Sequence, residues 1–140
     1  MTPHNGPMPT NIRTLKCAYC GETATSRDHV IPVCVLRPQA RRHTFHANDW
    51  LVPSCHECNL TLGAVLLLTV PDRARYLFKV YSKRWRKLIK SPVWTDYEIS
   101  QLTGHFQRRV QALSIVIATA NKRLDHLDLV SEMDDDYMRD

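Results

Sequence analysis

Long apolar runs are missing from this sequence. The longest, at residues 64–68, spans five residues, whereas a helix that crosses a bilayer needs about 20. The first nine residues contain three prolines and lack the apolar segment of a secretion signal. These absences argue against a membrane protein and against export, so we expect a cytoplasmic, reducing environment.

Cysteine occurs an odd number of times, five, which does not suit a fully paired disulfide framework. Four of the five form two Cys-x-x-Cys pairs, and the fifth, Cys34, lies among apolar residues and is expected to be a buried thiol. Two such pairs, separated by a few tens of residues, supply the four thiolates of a tetrahedral zinc ion. We therefore predict a structural zinc site formed by Cys17, Cys20, Cys55 and Cys58.

The charge of the chain is unevenly distributed. The formal net charge is +5, but the last ten residues contain five acids and one base, so residues 1–130 carry +9. A body this basic attracts polyanions, and DNA is the partner that we expect. The alternative is an ordinary solvated surface with an excess of basic residues.

The positions of apolar residues, prolines and glycines predict an α+β fold. Extended segments rich in β-branched and aromatic residues around Pro32 and before Pro53 predict two short strands, and the segment after Cys58 favours a short helix that begins near Asn59. A small zinc-stapled ββα core is then followed by an α-helical part with two long helices. The predicted segments are a flexible arm at 1–14, the core at 15–70, the helical extension at 71–130 and an acidic, disordered tail at 131–140.

The two long helices are predicted at residues 72–90 and 95–127. Thr95 and Glu98 match a capping box at the start of the second. The first helix has an apolar face and, opposite it, a basic face that starts at Arg73. We expect the apolar stripe of the second helix either to pack against the first or to be shared with a second copy or a partner protein.

Polar residues between and after the cysteine pairs follow a recognisable order. Asp28 and His29 are followed by Pro32, and Asn59 comes directly after the last cysteine of the second pair. Together with the two Cys-x-x-Cys pairs, this order resembles the HNH endonucleases, in the branch whose ββα-metal motif is stapled by a four-cysteine zinc. The resemblance covers residues 15–65. It implies metal-dependent hydrolysis of DNA phosphodiester bonds, with one strand nicked per site and both strands cut if two sites cooperate.

The same resemblance implies roles for individual residues. His29 would be the general base that takes a proton from the attacking water, and Asp28 and Asn59 would be ligands of a catalytic Mg²⁺ or Mn²⁺ ion. The family's middle asparagine falls at Trp50. Either Asn48 takes its role of bracing the loop that carries the histidine, or Trp50 holds that loop by packing.

DNA contacts are expected from arginine and lysine, because these side chains neutralise phosphate groups. The helix after Asn59 lacks the basic residue that is often found there in the family. The candidates for DNA binding are Arg27, Arg41, Arg42, Lys79, Lys83, Arg86, Lys87 and Lys90. The alternative to an endonuclease is a catalytically inactive, zinc-stapled module that binds DNA or docks onto a larger DNA-processing complex.

Overall fold

The computed structural model describes residues 15–30 and 51–133. Within these ranges the chain combines a two-stranded antiparallel sheet with helices, which confirms the predicted α+β class. Several predictions lie outside the described residues: the arm at 1–14, Cys34, Arg41, Arg42, Asn48, Trp50, and the acidic stretch from residue 134 onward.

The sheet consists of β1 (Ser26–His29) and β2 (Leu51–Ser54). The two strands pair antiparallel, with Asp28 opposite Val52. β2 matches the strand predicted before Pro53. The strand predicted around Pro32 lies largely outside the described residues, and β1 comes just before it. Polar side chains help to fix the pairing of β1, because the Ser26 hydroxyl donates to the carbonyl of Ser54 at 3.1 Å.

The first helix, α1 (His56–Leu62), follows β2 after a single residue, Cys55. It begins before Asn59, inside the second cysteine pair, so the predicted helix start near Asn59 is wrong. The reason is that Cys55 is the N-cap, and its sulfur accepts a hydrogen bond from the backbone N–H of Cys58. The chain order β1, β2, α1 therefore brings both cysteines of the second pair to one helix end.

The predicted basic helix at 72–90 is divided into α2 (Val70–Arg84) and α3 (Arg86–Ile89). The interruption is at Trp85, which has φ −100° and ψ 15°. The ring of Trp85 stacks on that of Tyr81 with 4.5 Å between the ring centroids. The break thus coincides with an aromatic contact that the apolar spacing alone does not reveal.

The predicted helix at 95–127 is also divided, into α4 (Asp96–Ser100) and α5 (Gly104–Ser131). The capping box is confirmed, because Thr95 and Glu98 accept from each other's backbone N–H. Gly104 adopts φ +62°, in the left-handed region that favours glycine. The apolar stripe continues across the interruption, so periodicity alone predicts one helix where there are two.

The C-terminal half of α5 packs against α2 and closes the core. Leu77 and Tyr81 of α2 are buried in one cluster with Leu124, Leu127 and the four paired cysteines. This is the first of the two arrangements expected for the apolar stripe. In the other half of α5 the side chain of Ile115 is 68% exposed. Within the described residues, no helix, including the 28-residue α5, is apolar enough along its length to cross a membrane.

Candidate metal centre and the adjoining strand

The four predicted zinc ligands form one buried cluster. The sulfur atoms of Cys17, Cys20, Cys55 and Cys58 all lie within 4.8 Å of one another, and those of Cys20 and Cys55 are 3.6 Å apart. Tetrahedral zinc with Zn–S bonds of about 2.3 Å requires sulfurs about 3.8 Å apart. The cluster therefore has the ligand type, number and spacing to hold a metal ion such as zinc.

The first cysteine pair is shaped by a tight turn that ends at Gly21. The N–H of Gly21 donates to the carbonyl of Cys17, and the N–H of Ala18 donates to the carbonyl of Pro53 in β2. Gly21 has φ +79°, and a Cβ atom there would lie 2.8 Å from Cδ2 of His126 in α5. Glycine is needed at this position both for its backbone conformation and for the close approach of the imidazole.

The thiols interact strongly because four of them share so small a volume. Hydrogen bonds from the other three, that of Cys20 first, lower the pKa of Cys17. The bond to Cys17 would raise the pKa of Cys20, but the bonds to Cys55 and Cys58 lower it to about 6. The bond to Cys17 is the largest of the effects that raise the pKa of Cys55 and of Cys58. The contacts among the thiols thus lower the pKa values of the first pair and raise those of the second.

Two side chains outside the cysteine pairs donate to the sulfurs. The hydroxyl of Tyr81 in α2 donates to Sγ of Cys58 at 3.2 Å. Burial, and the hydrogen bond to Cys58, raise the pKa of this hydroxyl, which keeps its proton. Nη2 of Arg123 in α5 lies 3.8 Å from Sγ of Cys55 and 3.9 Å from that of Cys58. The helical extension therefore contributes directly to the surroundings of the cluster.

Sequence reasoning assigns neither residue to this site. Tyr81 belongs to the apolar face of the predicted basic helix and is expected in the core, where it lies. Arg123 has a clearer signal, because it stands at helical spacing with Ala120, Leu124 and Leu127 on the apolar stripe of α5. A lone cation on a buried face needs a partner, and that requirement indicates a nearby negative charge.

Asp28 is buried beside the cluster, with 3% of its surface exposed. Its Oδ2 atom accepts from Nη2 of Arg73 at 2.8 Å, from Nε of Arg73 at 3.1 Å and from the hydroxyl of Tyr19. Burial, and then the charge of Asp28, raise the pKa of Tyr19, so that the phenol remains a donor. Oδ2 of Asp28, a predicted metal ligand, is therefore engaged in hydrogen bonds with Arg73 and Tyr19.

Arg73 is fully buried, with 0% of its surface exposed, and so does not belong to the solvent-facing basic surface on which the sequence placed it. Besides Asp28, it donates through Nη1 to the carbonyls of Val30 at 3.2 Å and Leu67 at 3.0 Å. Asp28 and Val30 are the residues on either side of His29. One guanidinium thus fixes both neighbours of the predicted general base.

His29 is half-buried at the end of β1, opposite Leu51. Because successive strand residues point to opposite faces, His29 shares a face with Arg27 and not with Asp28. Asn59 lies in the middle of α1, half-buried, and its Nδ2 donates to Oγ of Ser26 at 3.3 Å. Oδ2 of Asp28 and Nδ2 of Asn59 are thus in separate hydrogen bonds.

The four-cysteine cluster is the one group of three or more Cys, His, Asp or Glu side chains that could hold an ion in the described parts of the chain. No second group of this kind gathers around His29 there. A catalytic Mg²⁺ or Mn²⁺ site at Asp28 and Asn59 therefore stays a prediction.

The predicted DNA-binding residues that fall in the described ranges are exposed. Arg27 lies on β1, and the others follow one another along α2, α3 and the residue after α3. They are Arg27, Lys79, Lys83, Arg86, Lys87 and Lys90. Their exposure leaves them accessible to a polyanion, and DNA binding itself stays a prediction.

Comparison of the chain with known protein families, with curated proteins and with solved structures finds no match in any of the three. The resemblance to the HNH endonucleases therefore rests on the residues and the order in which they occur.

Proposed function

We propose that the protein is a metal-dependent DNA endonuclease of the HNH type, with a zinc ion bound by the four cysteines. The observation that carries the proposal is the arrangement of β1, β2 and α1 around the cysteine cluster. One cysteine pair precedes β1 and the other begins α1, so a zinc ion bound by them would hold the strand with His29 against the helix with Asn59. A tetrahedral site of four thiolates has no open position, so this ion supplies structure and no chemistry.

In this proposal His29 takes the proton from the attacking water. Imidazole is suited to this task near neutral pH. The hydrogen bonds that Arg73 makes to the carboxylate of Asp28 and to the carbonyl of Val30 hold the backbone on either side of His29. Such fixed positioning is what general base catalysis needs, because a misplaced base loses much of its effect.

The catalytic ion would be bound through oxygen atoms, which favour Mg²⁺ or Mn²⁺. When bound, such an ion offsets negative charge on the phosphate and on the leaving oxygen. Asn59 would contribute Oδ1, since the bond that its side chain makes to Ser26 uses Nδ2. Asp28 would contribute Oδ1, because its bonds to Arg73 and Tyr19 end on Oδ2. Since Arg73 offsets the charge of Asp28, we expect ion binding to be weak until DNA supplies further oxygen ligands.

Cleavage of supercoiled plasmid tests the proposal. Wild-type protein, purified with its zinc, should nick or linearise plasmid on addition of Mg²⁺ or Mn²⁺. His29→Ala should lose this activity while its zinc content and melting temperature stay at the wild-type level. His105→Ala is the matched control, because His105 is exposed on α5 and its replacement should leave cleavage normal. Equal cleavage by wild type and His29→Ala would exclude His29 as the base.

One observation favours the inactive DNA-binding module as a second candidate. The buried ion pair of Asp28 with Arg73 serves the fold whether or not an ion is ever bound. A binding module would bind DNA with an affinity that falls with salt but is indifferent to Mg²⁺ and to His29→Ala. Replacing Lys79 and Lys83 by Gln should then reduce the slope of log affinity against log salt by about 0.9 for each phosphate that the protein no longer neutralises.

A further inference from the structure

Arg123 is a buried cation on the side of α5 that faces the cysteine cluster. Its Nη1 donates to Oε2 of Glu57 at 2.8 Å, and its Nη2 lies within 4 Å of the sulfurs of Cys55 and Cys58. An arginine side chain keeps its proton in proteins at any working pH. The guanidinium is therefore held in its charged form against the thiols.

The charges around Arg123 do not balance unless the sulfurs are included. Glu57 accepts from two arginines, because Nη1 of Arg84 lies 3.3 Å from its Oε1. Two guanidinium groups and one carboxylate leave one positive charge. A zinc ion with four thiolates carries a net charge of about −2, and a buried charge of that size needs a partner. The surplus positive charge beside Glu57 partly offsets it.

The Nε atom of Arg123 also indicates that hydrogen bonds alone do not hold this guanidinium in place. In the described part of the chain it is the one buried side-chain nitrogen or oxygen without a hydrogen-bond partner. Leaving a buried donor unpaired is costly unless something else stabilises the group. The guanidinium lies 5.1 Å from the ring centroid of Tyr81 and 4.8 Å from that of Trp85, so two aromatic faces stabilise the cation here. The sulfurs of Cys55 and Cys58 would add to this as thiolates when a metal ion is bound.

We propose that Arg123, together with Tyr81, forms the outer shell of the four-cysteine metal centre and sets how tightly the ion is held and how slowly it leaves. Donors to a thiolate draw charge from the sulfur, which makes it a poorer target for protons and for alkylating agents. Arg123 lies on α5 and Tyr81 on α2, so both long helices belong to the metal centre. The helical extension is in this sense a part of the core and not an appendage to it.

Transfer of zinc from the full-length protein to an excess of a coloured chelator tests this proposal without reference to DNA cleavage. Arg123→Met should release zinc about 10-fold faster or more, the range known for loss of outer-shell partners. Arg123→Lys keeps the positive charge, and its rate of zinc release should lie between those of Arg123→Met and the wild type. Tyr81→Phe should also release zinc faster, because one donor to Cys58 is removed. Arg109→Met, at an exposed position of α5, should behave as wild type.

A second control separates this role from a general contribution to stability. Leu127 is buried on the same helix and in the same core but is not among the donors to the sulfurs. Leu127→Ala should lower the melting temperature and yet release zinc at the wild-type rate, when all proteins are measured well below their melting temperatures. Release from Arg123→Met that is no faster than from Leu127→Ala would overturn the proposal.

Alkylation of the cysteines by iodoacetamide gives a second readout, in which Arg123→Lys and Tyr81→Phe should react faster than wild type. If Arg123→Met does not fold, these two variants decide the matter. If Arg123→Lys and Tyr81→Phe both release zinc and react with iodoacetamide at the wild-type rates, Arg123 and Tyr81 are excluded from the outer shell.

Discussion

The guanidinium of Arg73 donates to the carboxylate of Asp28 at 2.8 Å in a place where the two side chains are only 1% and 4% exposed. The residues are 45 positions apart, and their contact joins α2 to β1. The hydroxyl of Tyr19, between the first two cysteines, donates to the same oxygen. This network connects the metal centre, the strand with His29 and α2.

Arg73→Met should lower the free energy of unfolding by about 3–5 kcal/mol, because the variant leaves Asp28 as an unpaired buried charge. The double variant Asp28→Leu with Arg73→Met should recover part of this loss, since it buries no charge. Urea denaturation of the zinc-loaded proteins measures both. Arg75→Met is the control: it removes a half-exposed pair with Asp72, which contributes at most about 1 kcal/mol. It also removes a hydrogen bond to the carbonyl of Ser131, worth about 1 kcal/mol, so its total loss should stay below that of Arg73→Met. Equal losses in the two single variants would contradict the role assigned to Arg73.

Arg73→Lys tests the positioning of His29. Lysine keeps the positive charge beside Asp28, but its single amine cannot reach both the Asp28 carboxylate and the Val30 carbonyl as the guanidinium does. If the protein cleaves DNA, we expect kcat to fall at least about 10-fold with little change in KM, because Arg73 is buried and does not contact DNA. Plasmid cleavage at several DNA concentrations separates the two constants. A change in KM alone would show that Arg73 acts on DNA binding and not on His29.

Gly21→Ala should destabilise the metal centre by more than a change of backbone preference alone. At φ +79° an alanine costs about 1–2 kcal/mol, and its Cβ would also lie 2.8 Å from the ring of His126. Gly104→Ala is a matched control, because Gly104 also has positive φ, +62°, but no atom of the described residues lies within 4 Å of a Cβ there. Thermal unfolding should show a larger loss for Gly21→Ala, and His126→Ala should relieve the excess. Equal losses at the two glycines would mean that the imidazole moves aside without cost.

The features that could be predicted from the sequence are those set by residues close together in the chain. A Cys-x-x-Cys pair places two sulfurs on one side of an ion whatever surrounds it, and the capping box of Thr95 and Glu98 is complete within four residues. The second strand was indicated by its own apolar residues in the same way. These signals are local, and the structure confirms the cysteine cluster, the cap and the second strand.

The features that the sequence does not reveal depend on contacts between distant residues. An arginine on a helix is normally assigned to the solvent side, and nothing near Arg73 in the sequence indicates that Asp28 and Tyr19 will surround it. Arg123 depends in the same way on Glu57 and the cysteines. The division of the long helix at Gln101 was hidden because Ile99 and Val110 keep the same apolar spacing across it. Three-dimensional packing decides each of these cases.

The proton balance of metal binding follows from the shared thiols. Because the pKa of Cys20 falls to about 6 and that of Cys17 is also lowered, both are thiolates at pH 7, whereas the raised pKa values of Cys55 and Cys58 keep those thiols protonated. Since zinc requires four thiolates, binding to the folded protein should release about two protons at pH 7. An unfolded peptide with ordinary thiols should release about four, because a free cysteine has a pKa near 8.5.

Isothermal titration calorimetry in buffers of different ionisation enthalpy measures the number of protons released when zinc binds. The sign of the pH dependence follows from the same directions. Zinc competes with protons for the sulfurs, so its affinity rises about 10-fold per pH unit for each proton that it displaces. The pKa of Cys20 is lowered to about 6, so this thiol binds a proton only when the pH falls to about 6 or below. Zinc affinity should therefore rise about 100-fold for each pH unit between 6.5 and 8, where only Cys55 and Cys58 give up protons, and more steeply below pH 6, where Cys20 is protonated as well. Release of four protons at pH 7 would show that the metal-free cluster does not hold its thiolates on the first cysteine pair.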